Sequence, residues 1–152
     1  MPKVDYTTTI DVPLAEVWDF VRDMNNWAPF VKGYLSHEVL NDRESLWNVK
    51  ADVGPLSKAT KARVDITEWV DGERVAFTLK ALEDPIKGAG VIQLREARAG
   101  AGTEIRGEAT LEFGGMMGPI VNRLIGPLVR DQAEELVTKI VAAVQERSGQ
   151  KQ

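Results

Sequence analysis

Residues 103–113, TEIRGEATLEF, decide how this chain is read, together with the run GGMMGPIVNRLIGPLVRDQAEELVTKIVAAV that follows at 114–144. Glu104, Arg106, Glu108, Thr110 and Glu112 fall on one face of an extended segment, and Ile105, Gly107, Ala109, Leu111 and Phe113 fall on the other. That period of two belongs to a half-buried strand. Its apolar face meets the helix that follows, where Met117, Ile120, Val121, Leu124, Ile125, Leu128 and Val129, then Leu136, Val137, Ile140, Val141 and Val144, recur at three and four. Gly126-Pro127 interrupts this stripe, because an interior proline lacks the helical donor and clashes with the turn before it. A short helix over Pro119–Ile125 and a longer one from Pro127 to about Glu146 are therefore expected. The buried strand face carries Gly107 and Ala109 where Val or Ile would be the usual fillers. Either the helix comes unusually close there or a space is left open, and the pattern favours a cavity without naming its occupant.

Working outward, Lys3–Ile10 is rich in Thr and β-formers, and Pro13 stands where a first helix begins, its missing donor costing nothing in the first turn. Leu14, Val17, Trp18 and Val21 follow at helical spacing. Asp23–Gly33 breaks the pattern with Asn25, Asn26 and Pro29, yet carries Met24, Trp27, Phe30 and Val31. A segment so apolar lies over something. From Tyr34 the chain reads as an antiparallel meander: Tyr34–Leu40, Ser45–Val53, Ser57–Val70, Glu73–Leu82 after the Asp71-Gly72 hairpin signal, Lys87–Ala97, and the last strand. That makes seven strands with the first. Each is polar on one face, so the sheet is covered on one side only.

The chain has 152 residues, 43% hydrophobic and 28% charged, which fits one soluble domain with a full core. A single domain over residues 1–147 with a flexible tail at 148–152 is expected. With no cysteine there is no disulfide, thiolate metal site or cysteine nucleophile. The net charge of −4 argues against nucleic acid, since no basic stripe displaces phosphate counterions. No stretch reaches the roughly 20 apolar residues of a membrane span, and the opening MPKVD lacks a basic end with an apolar run. The expected location is the cytoplasm.

Catalytic and metal chemistry finds few carriers. His37 is the sole histidine, which excludes a two-histidine metal site and a Ser-His-acid set, and alternation assigns it to the outer face of its strand. No metal or other cofactor is expected. Gly114-Gly115-Met116-Met117-Gly118 imitates a phosphate-binding turn, but no βαβ unit surrounds it. Glu68 falls on the inward register if alternation persists past Ile66, where desolvation would raise its pKa and suit it to acid or base work. The favoured reading is that a bulge or the strand's fraying end turns Glu68 to water and Trp69 inward. Tyr34 is the other candidate proton carrier.

The ordered set of an opening strand, Val12-Pro13-Leu14-Ala15-Glu16-Val17-Trp18, Asp23 with Trp27 and Pro29, Gly102-Thr103-Glu104-Ile105, and the closing helix resembles the START-like (SRPBCC) superfamily. This is the polyketide cyclase and lipid-transport group of helix-grip proteins. Asp52-Val53-Gly54-Pro55-Leu56 and Gly88-Ala89-Gly90 look most like its carbon monoxide dehydrogenase G-like branch. The resemblance implies an α+β helix-grip fold: a curved seven-stranded antiparallel sheet wrapped around a long C-terminal helix, with one or two short helices after the first strand. It also implies an apolar cavity between sheet and helix, its mouth bordered by 23–33. Candidate lining residues are Trp27 and Phe30 from that border, and Trp47, Val49, Val64 and Ile66 from the third and fourth strands. Phe77, Leu79, Gly90 and Ile92 follow from the next two, then Gly107, Ala109 and Leu111 from the last strand, and Met117, Val121, Leu124 and Leu128 from the helices.

The function implied is binding or transport of a small hydrophobic ligand, a lipid, polyketide, quinone or similar, by a carrier rather than an enzyme. A cyclase or aromatase using Glu68 or Tyr34 is one alternative. An accessory protein of a molybdenum hydroxylase is the other, docking a partner protein through Lys61, Arg63, Arg74, Lys80, Arg95 and Arg106.

Overall fold

A computed structural model describes residues 3–31, 33–53, 56–83, 85–97, 102–116, 118–124 and 126–150. β1 (Lys3–Ile10) leads into α1 (Leu14–Val21), with Pro13 at its N-cap. The segment after α1 is more regular than its Asn and Pro content suggests. Asp23 accepts a hydrogen bond from the Asn25 backbone at 3.0 Å and so starts α2 (Met24–Trp27), and a 3-10 turn, Ala28–Phe30, follows. The meander is β2 (Tyr34–Val39), β3 (Glu44–Val53), β4 (Leu56–Val70), β5 (Arg74–Ala81), β6 (Ile86–Ala97) and β7 (Gly102–Phe113). Gly72 takes φ 72° in the β4–β5 turn, which a residue without Cβ adopts freely. α3 (Gly118–Leu124) is followed by α4 (Gly126–Gln150), which holds Gly126-Pro127 in its first turn and continues through 148–150, where a tail was expected.

The strands form one antiparallel sheet in the order β1-β7-β6-β5-β4-β3-β2, curved around α4. This is the helix-grip architecture. β1 returns to pair with β7, Lys3 opposite Thr110 and Ile10 opposite Thr103, while β2 ends the sheet at its far edge. On the concave face, Trp47, Val64, Val75, Ile92, Leu94 and Ile105 pack with Val137, Ile140 and Val144 of α4 and with α1 and α2 in one large buried cluster. Phe113 and Val129 anchor a second, smaller cluster with Ile86, Ala109, Leu111 and Val121.

Two bulges override simple alternation. Between Tyr34 and Ser36 the register of β2 against β3 shifts, so Tyr34 and His37 share a face. His37 is thus half-buried, its ring 5.8 Å from that of Trp47, and not an outer-face residue as alternation assigned it. Between Ile66 and Glu68 the register against β5 shifts again. Glu68 pairs with Arg74, its side chain 44% exposed, and Trp69 comes opposite the buried Val75. That one inserted residue is the bulge favoured from the sequence over an inward Glu68.

The outer cations are interleaved with acids. Arg63 is bonded to Glu44 and Asp65, Arg95 to Glu104 at 2.5 Å, and Arg106 to Asp5 at 3.0 Å and to Glu108 at 2.8 Å. The hydrogen bond that Arg63 donates to Asp65, with the charges of Asp65 and Glu44, holds the Arg63 pKa above its ordinary value. With Arg74 on Glu68, these four arginines do not present a basic docking patch. On α4 the Glu135–Lys139 pair closes at 2.9 Å, an ordinary surface contact.

Candidate functional site

An apolar hollow of about 130 Å³ lies at the seam between the two core clusters. β5 contributes Phe77 and Leu79, β6 contributes Gly88, Gly90 and Ile92, and β7 contributes Gly107, Ala109 and Leu111. Val129, Gln132, Ala133 and Leu136 reach it from α4 as i, i+3, i+4 and i+7, a single helical face. Val31 brings the 23–33 segment to its edge. Glu108 borders it from the convex register, but its carboxylate is turned to Arg106.

The glycines do not make the hollow in the way their size suggests. A Cβ on Gly107 would stand 2.7 Å from Val137 Cγ2, so α4 comes close there, the first of the two readings open from the sequence. A Cβ on Gly90 would collide with the Phe77 ring, which lies over that glycine and 5.3 Å from Trp27. Space remains beside these contacts, around Ala109 and Leu111, where short side chains face the Val129–Leu136 surface of α4. Asn122 closes the end of β7 by a paired contact. Its Oδ1 accepts from the Phe113 backbone at 2.9 Å and its Nδ2 donates to the Phe113 carbonyl at 3.0 Å, which tethers α3 beside the second cluster.

Of the residues expected to line a cavity, Phe77, Leu79, Gly90, Ile92, Gly107, Ala109 and Leu111 do so. The others serve the core. Trp27 is fully buried and donates its indole N–H to the Val21 carbonyl at 2.9 Å, and Trp47 donates to Ser45 Oγ at 2.9 Å with Tyr34 edge-on at 5.4 Å. Phe30 stacks on Phe20 at 6.4 Å, Val49 and Val64 pack in the large cluster, and Val121 packs in the small one. Ile66 borders a different depression. Met117 lies outside the described residues, as do the side chains of Leu124 and Leu128. Sequence reasoning passed over Val31, Gln132 and Ala133 as lining residues, and also Val129 and Leu136. Carrying the helical period from Val129 through 132, 133 and 136 would have found the α4 members.

Neither candidate proton carrier reaches the hollow. Glu68 is held outside by its bulge, and the Tyr34 hydroxyl donates to His37 Nδ1 at 2.5 Å. His37 Nε2 lies 2.6 Å from Asn25 Oδ1, the amide being oriented by its own bond to Asp23. With the acceptor Oδ1 opposite Nε2, the proton of the neutral ring sits on Nε2 and Nδ1 accepts from tyrosine. Among the described residues no group of three His, Cys, Asp or Glu could hold a metal ion, and no helix is long and apolar enough to cross a membrane.

A larger depression of about 780 Å³ opens at the far end of the sheet, between α1, α2, the β2–β3 connection and Arg147. Its polar walls are largely occupied by the fold. Asp71 accepts from the Trp18 indole at 2.7 Å, Asp23 caps α2, Glu44 pairs with Arg63, and Arg43 donates to the Ile66 carbonyl at 3.4 Å. It is a charged surface cleft of mixed sign, unlike the apolar seam.

A curved sheet gripping one helix, with an apolar hollow between them, is the helix-grip fold. Residues 1–144 match the family model described as polyketide cyclase / dehydrase and lipid transport, and the chain belongs to that family. Among solved structures, a conserved protein from Geobacillus kaustophilus superposes with a TM-score of 0.79 at 16% identity, covering 96% of each chain. A START superfamily protein from Mycobacterium smegmatis gives 0.66 at 14%, covering 96% of this chain and 99% of that one. The di-domain ARO/CYC StfQ from the steffimycin biosynthetic pathway gives 0.65 at 12%, covering 97% of this chain and 52% of that chain, so the present protein spans about half of it. At these identities the likenesses establish the fold. No curated protein matches the chain.

Proposed function

We propose that this protein binds a compact hydrophobic molecule in the seam between the sheet and α4. The apolar hollow bounded by Phe77, Leu79, Ala109, Leu111, Val129 and Leu136 carries this reading. Family membership agrees with it, since the family comprises cyclases, dehydrases and lipid-transport proteins. At about 130 Å³ the hollow is close to the roughly 150 Å³ engineered cavity that accepts benzene, and below the roughly 300 Å³ at which drug-sized pockets begin. One ring or a short chain fits as it stands; a polycyclic polyketide or a long acyl chain needs the seam to widen. Affinity would come from apolar burial, on the order of 25 cal/mol per Å² before the costs of association.

A carrier is favoured over a cyclase because Glu68 and Tyr34 are both engaged away from the hollow. The accessory role beside a molybdenum hydroxylase rests on the sequence resemblance alone. Titration with toluene, followed by the methyl resonances of Leu79, Leu111, Val129 and Leu136, tests the reading. Saturable shifts centred on these methyls are expected, and native mass spectrometry of freshly purified protein would then look for the natural guest. Absence of saturation up to the solubility of toluene, or shifts centred instead on Trp69 in the polar cleft, would overturn it.

A further inference from the structure

The α4 wall of the hollow is apolar except at one position. Gln132 stands between Val129 and Leu136 on the face that lines the space, and its amide has no hydrogen-bond partner among the described residues. The other polar residues bordering the hollow, Glu108 and Thr110, occupy the convex register of β7. A half-buried primary amide inside an apolar wall is an expensive neighbour for a hydrocarbon, because a guest that displaces its water without replacing the bond leaves donor and acceptor unmet.

We propose that Gln132 reads one neutral hydrogen-bonding group on the ligand, so that the guest is a single-ring, uncharged molecule carrying one hydroxyl or carbonyl. This rests on the hollow being the binding site. The amide both donates and accepts, so its N–H can donate to a cyclic ketone or a phenol oxygen, and its Oε1 can accept from a phenol. An ionised ligand does not suit, since no side chain of the concave register lining the hollow carries charge and an unpaired charge there would be strongly disfavoured. Specificity built this way resides in the contrast between a guest with the polar group and its isostere without it.

The test compares p-cresol with toluene, which differ by one hydroxyl, on the full chain and on Gln132→Met. Methionine keeps length and helix propensity while removing the amide. The ratio of the two dissociation constants is expected to move roughly tenfold toward toluene in the variant, the size of one hydrogen bond of about 1.4 kcal/mol. In the unaltered protein the Gln132 side-chain amide resonances should shift with p-cresol and stay in place with toluene, a readout that needs no variant to fold. If both probes bind but the ratio and those resonances do not respond, the role of Gln132 is overturned and the hollow stands. If neither probe binds the folded protein, the hollow itself fails, and this proposal with it.

Discussion

The two ends of the contact between sheet and helix are built differently. Toward α1 and α2 the concave face is filled by Trp18, Trp27 and Trp47, each indole N–H spent on a protein acceptor: Asp71, the Val21 carbonyl and Ser45. Toward α3 the same face carries Gly88, Gly90, Gly107 and Ala109, and a hollow of about 130 Å³ remains. The contrast shows that small residues do not by themselves leave space. Gly107 receives Val137, Gly90 receives Phe77, and a Cβ on Gly88 would stand 2.9 Å from the Thr110 carbonyl oxygen and 3.3 Å from Leu111 Cδ1, so three of the four are filled by neighbours. Space survives at the seam, where the large cluster stops and the Phe113–Val129 cluster has not yet begun.

The comparison breaks most sharply at its filled end. Trp27→Ala should destabilise by about 3–5 kcal/mol in urea unfolding, since a fully buried ring against Phe77 leaves a void that the surroundings close only in part. A loss under about 1 kcal/mol would mean that this end is as loosely built as the other. Gly107→Leu should cost about 1–3 kcal/mol by overpacking, because its Cβ meets the stiff, buried Val137 on α4 before the rest of the side chain finds room. A neutral or stabilising outcome in the same assay would restore an open cavity at Gly107 itself.

Most of the fold was legible because its signals are periodic. Alternation over β7, the apolar stripe of α4, the placement of Pro127 in the first turn of that helix and the Asp71-Gly72 turn each rest on a local rule that nothing tertiary opposed. The failure sits where one residue shifts parity. The bulge at Tyr34/Ser36 turned His37 inward against its outer-face reading and leaves no mark in composition, whereas the bulge at Ile66/Glu68 that turns Glu68 outward is the reading the sequence favoured. The site was legible only in part for a different reason. Whether Trp47 lines a cavity or fills a core depends on whether Ser45 is placed to receive its N–H, a relation that inward register alone cannot show. Gln132 was readable, since a polar residue interrupting an apolar stripe is visible in the sequence, but its meaning depends on the hollow it faces.

Ala109→Val sharpens the comparison with the smallest expected effect. Ala109 faces the hollow from β7, opposite Gly90 on β6, and valine adds two carbons in a residue type that strands favour. At roughly 0.8 kcal/mol per buried methylene, partial burial should raise unfolding stability by about 1 kcal/mol, while the filled seam should no longer take up toluene. The two readouts are coupled, because the volume that stabilises the empty protein is the volume the guest requires. A stabilised variant that still binds would place the guest elsewhere than beside Ala109. A destabilised one would show the seam to be as tightly closed at this position as it is at Gly107.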